Sequence, residues 1–119
     1  MLSDVFERYP NLKIVLGHLG ETLPFLLERI DESLSRNPKF GRSFRNEFCR
    51  HFYVTTSGNF STPALLCTIM ELGIDRVLFS VDWPYVENDK GVEWMAKVPL
   101  SQEDNDKILF RNAERLLRL

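Results

Sequence analysis

Lys13-Ile14-Val15-Leu16-Gly17-His18 and Arg76-Val77-Leu78-Phe79-Ser80-Val81-Asp82 are two short apolar runs, each ending in a residue able to carry chemistry. Both are too short for a globular helix and rich in strand-forming residues, so strands are expected over Lys13–Gly17 and Arg76–Val81. The first run is continuously apolar rather than alternating, which predicts a strand covered on both faces. In parallel α/β folds, side chains at the C-terminal ends of strands converge on the active site. His18 and Asp82, on two such ends, read as part of a metal or acid–base centre. The chain is too short to hold the rest of that centre.

Working outward, the segments between these runs are helical. Ser3 to Tyr9 reads as the last turns of a helix stopped by Pro10-Asn11. Thr22 is a candidate cap with Pro24 in the first turn, and Leu23, Leu27, Ile30 and Leu34 recur at helical spacing, with Leu26 widening the stripe. That helix ends near Asn37-Pro38. A second helical piece, Ser43 to Arg50, leads into His51-Phe52-Tyr53-Val54-Thr55-Thr56, a third strand candidate closed by Ser57-Gly58-Asn59. Ser61 or Thr62 caps the next helix, whose apolar face is Leu65, Leu66, Ile69, Met70 and Leu72, and Gly73 terminates it. Ser101-Gln102-Glu103-Asp104 resembles a capping arrangement before a last amphipathic helix carrying Ile108, Leu109, Ala113, Leu116 and Leu117. Strand, helix, strand, helix, strand, helix implies parallel strands joined by crossovers.

Composition narrows the function class. At 119 residues there is room for one domain. The 15 basic residues are scattered among 17 acidic ones with no basic stripe, which argues against nucleic acid as a partner. No apolar run approaches the ~20 residues that span a bilayer. Met1-Leu2-Ser3-Asp4 lacks the basic-then-apolar start of a signal peptide. Cys49 and Cys67 lack metal spacing, so reduced thiols and a cytoplasmic location are expected.

Within the candidate site, glycines flank His18, and Glu21 follows three residues later. A carboxylate there can orient the imidazole and raise its basicity. The alternative for Glu21 is an acidic residue favoured by a helix N-terminus. Asp82 follows large apolar residues, where an unpaired carboxylate is costly; the alternative is a turn Asp ahead of Pro84. Trp83 can lie against a flat substrate or belong to the core. Arg29, off the main apolar stripe, is by position a solvated charge, and no role is assigned to His51. Thr56-Ser57-Gly58-Asn59 lacks the Gly-x-Ser-x-Gly elbow of serine hydrolases. A phosphate-binding loop, a dinucleotide fingerprint and a zincin helix are all absent.

Taken together, the run from Phe6 to Glu21, Thr55-Thr56-Ser57-Gly58-Asn59-Phe60, Ser80-Val81-Asp82-Trp83-Pro84 and Asn112-Ala113-Glu114-Arg115-Leu116 resemble the C-terminal part of the amidohydrolase-related, metal-dependent decarboxylases. The closest branch is the dihydroxybenzoate (resorcylate-type) decarboxylases. The resemblance covers nearly the whole chain. It implies a (β/α)₈ barrel with Zn or Mn at its C-terminal face, of which residues 1–119 would be the last three or so βα units. It also implies that Asp82 is a metal ligand beside the reacting carbon. His18 would contact substrate and help move a proton, with Glu21 its associated carboxylate. Arg29 matches an arginine that reaches a neighbouring subunit's site and grips the substrate carboxylate, so the full-length form would be a homo-oligomer. Family members bear a Glu-x-His or His-x-His pair on the first strand and a further metal His on the fifth. This chain holds only two histidines, so those ligands are missing.

The expectation is therefore a piece of a nonoxidative decarboxylase of a hydroxylated aromatic acid, arising as a gene fragment, truncation or splice form and inactive alone. Two other readings stand beside it. One is a metal-dependent hydrolase of a lactone or amide. The other is a non-catalytic remnant that associates with another chain through its open sheet edges.

Overall fold

Three short strands lie side by side in the order β1-β2-β3, and all run parallel. The structure, a computed structural model, describes residues 4–37 and 41–119. Ser3 and Pro38, placed by the sequence at a helix start and a helix end, lie outside the described residues. β1 is Ile14–Leu16, β2 is Phe52–Thr55 and β3 is Val77–Leu78. The helices are α1 (Val5–Arg8), α2 (Leu23–Ser35), α3 (Phe44–His51), α4 (Thr62–Leu72), α5 (Asn88–Met95), α6 (Gln102–Asp106) and α7 (Asn112–Leu117). A wide π turn over Lys107–Arg111 joins the last two.

Register decides what each strand buries. Ile14 pairs with Phe52, while Leu16 pairs with Val54 and Val54 with Val77, so these five share one face. That face meets the helices: Leu27 of α2, Phe48 of α3, Leu65 of α4, and Ile108 of the wide turn are essentially inaccessible in one cluster with Val54 and Val77. Phe48 and Phe52 stack with centroids 4.5 Å apart. His51 closes the lower edge of this core, stacked on Phe6 at 4.1 Å, with Nδ1 3.0 Å from the Leu12 carbonyl. It is the last residue of α3 rather than the first of β2, and its surroundings explain it as a core histidine.

The opposite face carries Val15, Tyr53 and Thr55, and among the described residues no helix covers β1 there. Val15 is 46% exposed, so the expectation of a first strand covered on both faces is corrected. The continuous apolar run suits burial on both faces, but the described residues cover one of them.

Capping chemistry holds in most places. Ser43 accepts from the Asn46 amide, Ser61 from Ala64 and Ser101 from Asp104. Thr22 does not cap α2. Its backbone is already helical (φ −88°, ψ −7°), whereas a cap needs extended backbone to turn its hydroxyl onto the first turn. Leu26, Leu66, Met70, Leu109 and Leu117, assigned to buried stripes, are exposed. The helices rest on a single small sheet, which needs a narrower stripe than the sequence supplies.

β3 is regular over only two residues, shorter than the run Arg76–Val81 suggests. It is an edge strand, and side chains and loops continue its ladder. The Phe79 amide donates to the Ile108 carbonyl at 2.8 Å and the Ser80 amide to the Thr56 hydroxyl at 2.9 Å. Asn112, fully buried, donates through Nδ2 to the carbonyls of Ile74 (2.9 Å) and Val77 (2.8 Å), tying the last helix to β3.

Candidate active site

Because the strands are parallel and adjacent, the segments leaving β1 and β3 emerge at the same rim of the sheet. His18 leaves β1 through a left-handed turn in which His18, Leu19, Gly20 and Glu21 all have positive φ (51°, 55°, 76° and 56°). A left-handed residue other than glycine costs ~1–2 kcal/mol, so this run persists only because its surroundings hold it. Leu19 is buried in the core beneath the turn, its carbonyl accepts from the Thr68 hydroxyl at 3.4 Å, and the Glu21 amide donates to the His18 carbonyl at 3.0 Å. Asp82 also lies in the left-handed region, at φ 71°.

The outcome is a chain of three side chains in contact. The His18 Nδ1 lies 3.0 Å from Glu21 Oε1, and its Nε2 lies 3.5 Å from Asp82 Oδ2. Both sequence alternatives can now be judged. Glu21 precedes α2 but turns its carboxylate onto the imidazole. Asp82 does open a turn, yet through its carbonyl, which accepts from the amides of Tyr85 (2.8 Å) and Val86 (3.2 Å). Its carboxylate is left facing His18. The imidazole is 45% exposed and the Asp82 side chain 35%, so the pair is reachable from solvent.

The two ring nitrogens face two carboxylates: with Nδ1–H donated to Glu21, Nε2 looks toward Asp82 Oδ2 at 3.5 Å.

Trp83 is 64% exposed beside Asp82, so it is not core. Arg29 lies exposed on α2 and has no ion-pair partner among the described residues; the structure does not bring it to His18 or Asp82. Among the described residues no group of three His, Cys, Asp or Glu side chains is placed to hold a metal ion. A catalytic metal takes about three protein ligands and an open position. Asp82 and His18 do not amount to that donor set, so this chain alone does not fit a resident metal.

The sequence reading missed α5 (Asn88–Met95), which follows the Asp82 turn and packs behind it. Gly91 in its middle obscured the helical pattern. A Cβ there would lie 2.7 Å from Val81 Cγ1 and 2.9 Å from Phe60 Cζ, so the glycine permits close approach of the helix to the segments that follow β3 and β2.

Comparison with known proteins identifies the family. The chain is 43% identical to the gamma-resorcylate decarboxylase of Polaromonas sp. strain JS666, over 100% of its own length and 38% of the relative. The solved structure of 2,6-dihydroxybenzoate decarboxylase in complex with 2,6-dihydroxybenzoate superposes with a TM-score of 0.93 at 40% identity, covering 100% of this chain and 38% of that one. The dihydroxybenzoic acid decarboxylase of Polaromonas sp. JS666, solved with manganese and the inhibitor 2-nitroresorcinol, gives 0.92 at 42% identity, covering 99% and 37%. The chain thus spans little more than a third of the relatives it matches. The amidohydrolase family pattern matches residues 1–119, and with the parallel sheet and the rim-sited His18–Asp82 pair it shows that the chain belongs to the amidohydrolase family.

Proposed function

We propose that residues 1–119 are the C-terminal portion of a (β/α)₈ barrel whose full form removes CO₂, without oxidation, from a hydroxylated aromatic carboxylate such as a dihydroxybenzoate. The observation carrying this reading is the His18 Nε2–Asp82 Oδ2 approach at 3.5 Å, with Glu21 on the other ring nitrogen. Loss of CO₂ leaves the bonding electron pair on the ring carbon, which must then accept a proton. The His18–Asp82 pair holds one at the rim. Glu21, 3.0 Å from Nδ1, fixes the imidazole's orientation. The exposed Trp83 ring beside Asp82 offers a flat wall for an aromatic substrate.

Arg29 is assigned to a neighbouring subunit's site in a homo-oligomer. Its exposure on α2 beside Phe25, itself 80% exposed, suits an intersubunit face, and its forked donors suit a carboxylate. In the relatives a divalent metal accompanies this chemistry, as the bound manganese shows. The ligands that would accompany Asp82 belong to strands this chain does not contain, so the isolated chain is inactive.

The test is a chimaera in which this chain replaces the matching segment of the Polaromonas decarboxylase, assayed beside the isolated chain. With Mn²⁺, CO₂ release from 2,6-dihydroxybenzoate is expected from the chimaera alone. Turnover by the isolated chain, or a folded and Mn²⁺-loaded chimaera that turns over lactones but no aromatic acid, would overturn the reading.

A second reading rests on the bare β1 face. An exposed Val15 on the open β1 edge of the sheet suits a remnant that associates with another chain.

A further inference from the structure

The loop after β2, Thr56-Ser57-Gly58-Asn59, is not used by the chemistry above, yet each of its residues touches one of the two arms that carry it. Thr56, fully buried, donates its hydroxyl to the Ser80 carbonyl at 2.6 Å and accepts from the Ser80 amide at 2.9 Å, two residues before Asp82. Ser57 hydrogen-bonds Thr55 side chain to side chain at 2.6 Å, and its Cβ lies 3.8 Å from where a Cβ on Gly17, just before His18, would stand. Asn59 sends its Nδ2 amide to the His18 carbonyl at 3.3 Å, inside the left-handed turn. Gly58 has φ +69°, and a Cβ there would sit 3.4 Å from both Cβ and Oδ2 of Asp82 and 3.3 Å from Val86 Cγ2.

β2 is the central strand, so its loop stands between the segments that leave β1 and β3. The His18 arm is unfavourable backbone held from outside, and Asn59 is the side chain from the neighbouring loop that holds its carbonyl. The Asp82 arm rests against Gly58, whose φ of +69° strains any other residue and whose Cβ, if present, would crowd Val86 at 3.3 Å. We infer that Asn59 and Gly58 are positioning residues, bracketing His18 from one side and Asp82 from the other so that Nε2 and Oδ2 meet. Asn59 acts through a hydrogen bond to backbone and Gly58 through an absent side chain; neither touches the reacting atoms. The inference rests on reading His18 and Asp82 as the reacting pair, but it concerns their geometry, whichever aromatic acid they act on.

The test is nuclear magnetic resonance on the isotopically labelled 119-residue chain, with no substrate or metal. Its two histidines report separately, because His51 and Asn59 flank opposite ends of β2. Asn59→Ala, which removes the donor, and Asn59→Asp, which replaces it with an acceptor, are expected to abolish the cross-peak between the His18 ring and the Asp82 Hβ protons. Both should also change the His18 tautomer populations read from ring nitrogen shifts, while His51 signals stay as in the parent chain. Gly58→Ala, made separately, is expected to shift the Asp82 carboxyl resonance and weaken the same cross-peak.

An unchanged His18–Asp82 cross-peak in all three variants overturns the inference. So does a change that affects His51 equally, since that reports general destabilisation. A parent chain with no ordered His18–Asp82 contact overturns it as well. Failure of the chimaera to decarboxylate would instead bear on the proposed function and leave these spectra unaffected.

Discussion

His18 Nε2 and Asp82 Oδ2 lie 3.5 Å apart although 64 residues separate them in sequence. Two parallel strands flanking a third bring their following segments to one rim, where a left-handed turn lifts the imidazole and a second left-handed residue presents the carboxylate. Glu21, at 3.0 Å from Nδ1, makes the second contact to the ring. In the chimaera, Glu21→Gln should lower kcat for 2,6-dihydroxybenzoate about 10- to 100-fold, as loss of a supporting carboxylate does elsewhere. KM should move less, because Glu21 orients the ring rather than binding substrate. A steady-state comparison of the two enzymes checks this.

Asn112 spans two carbonyls, of Ile74 and Val77, from a fully buried position. Asn112→Ala leaves both acceptors without a partner in the core and should cost about 2–4 kcal/mol. Urea denaturation, comparing midpoints at an unchanged m-value, measures it.

Gly91 illustrates a substitution that local propensity misjudges. Alanine favours a helix over glycine by ~1 kcal/mol, yet a Cβ here would come within 2.7 Å of Val81 Cγ1. Gly91→Ala should therefore destabilise, by about 1–3 kcal/mol as overpacking does. Thermal melting of the two chains decides the sign.

Lys13 has its amine held below the usual lysine range by partial burial, and then by the nearby Arg76 and Arg50 guanidinium groups. Folding therefore penalises the charged form. The penalty is fully present below the folded-state value and disappears as pH rises past the unfolded one, near ~10.4. Arg76→Gln should move the amine back upward, as followed by carbon resonances of methylated lysine against pH. Lys13→Met should stabilise slightly at pH 7 and lose that advantage by pH 11. The effect is small because the side chain is largely in solvent.

The element order and parallel sheet were legible in the sequence because strand runs, caps and breakers all act locally: Ser43, Ser61, Ser101 and Gly73 each do what their type predicts. The meeting of His18, Glu21 and Asp82 was legible because strand ends and a three-residue spacing bring them together. What escaped was set by tertiary packing. Thr22 resembles a cap, but the left-handed run before it fixes its backbone in the helical region. Helix α5 went unread, and its Gly91 is a close contact with Val81. The part Asn112 plays under β3 went unread too, because it depends on the wide turn at Lys107–Arg111. The covering of β1 was misread for a different reason: a continuous apolar run suits two buried faces, and the described residues cover one, leaving Val15 exposed.

The central claim, that His18 and Asp82 form the proton-holding pair of a decarboxylase, is tested most directly by CO₂ release from 2,6-dihydroxybenzoate in the Mn²⁺-loaded chimaera carrying Asp82→Asn. A kcat loss of about 10³-fold or more in a protein that still folds is the predicted result, within the range of general acid–base and electrostatic contributions together. Turnover within a factor of about two of the parent chimaera, far short of the loss expected when a proton-transfer group is removed, would contradict it.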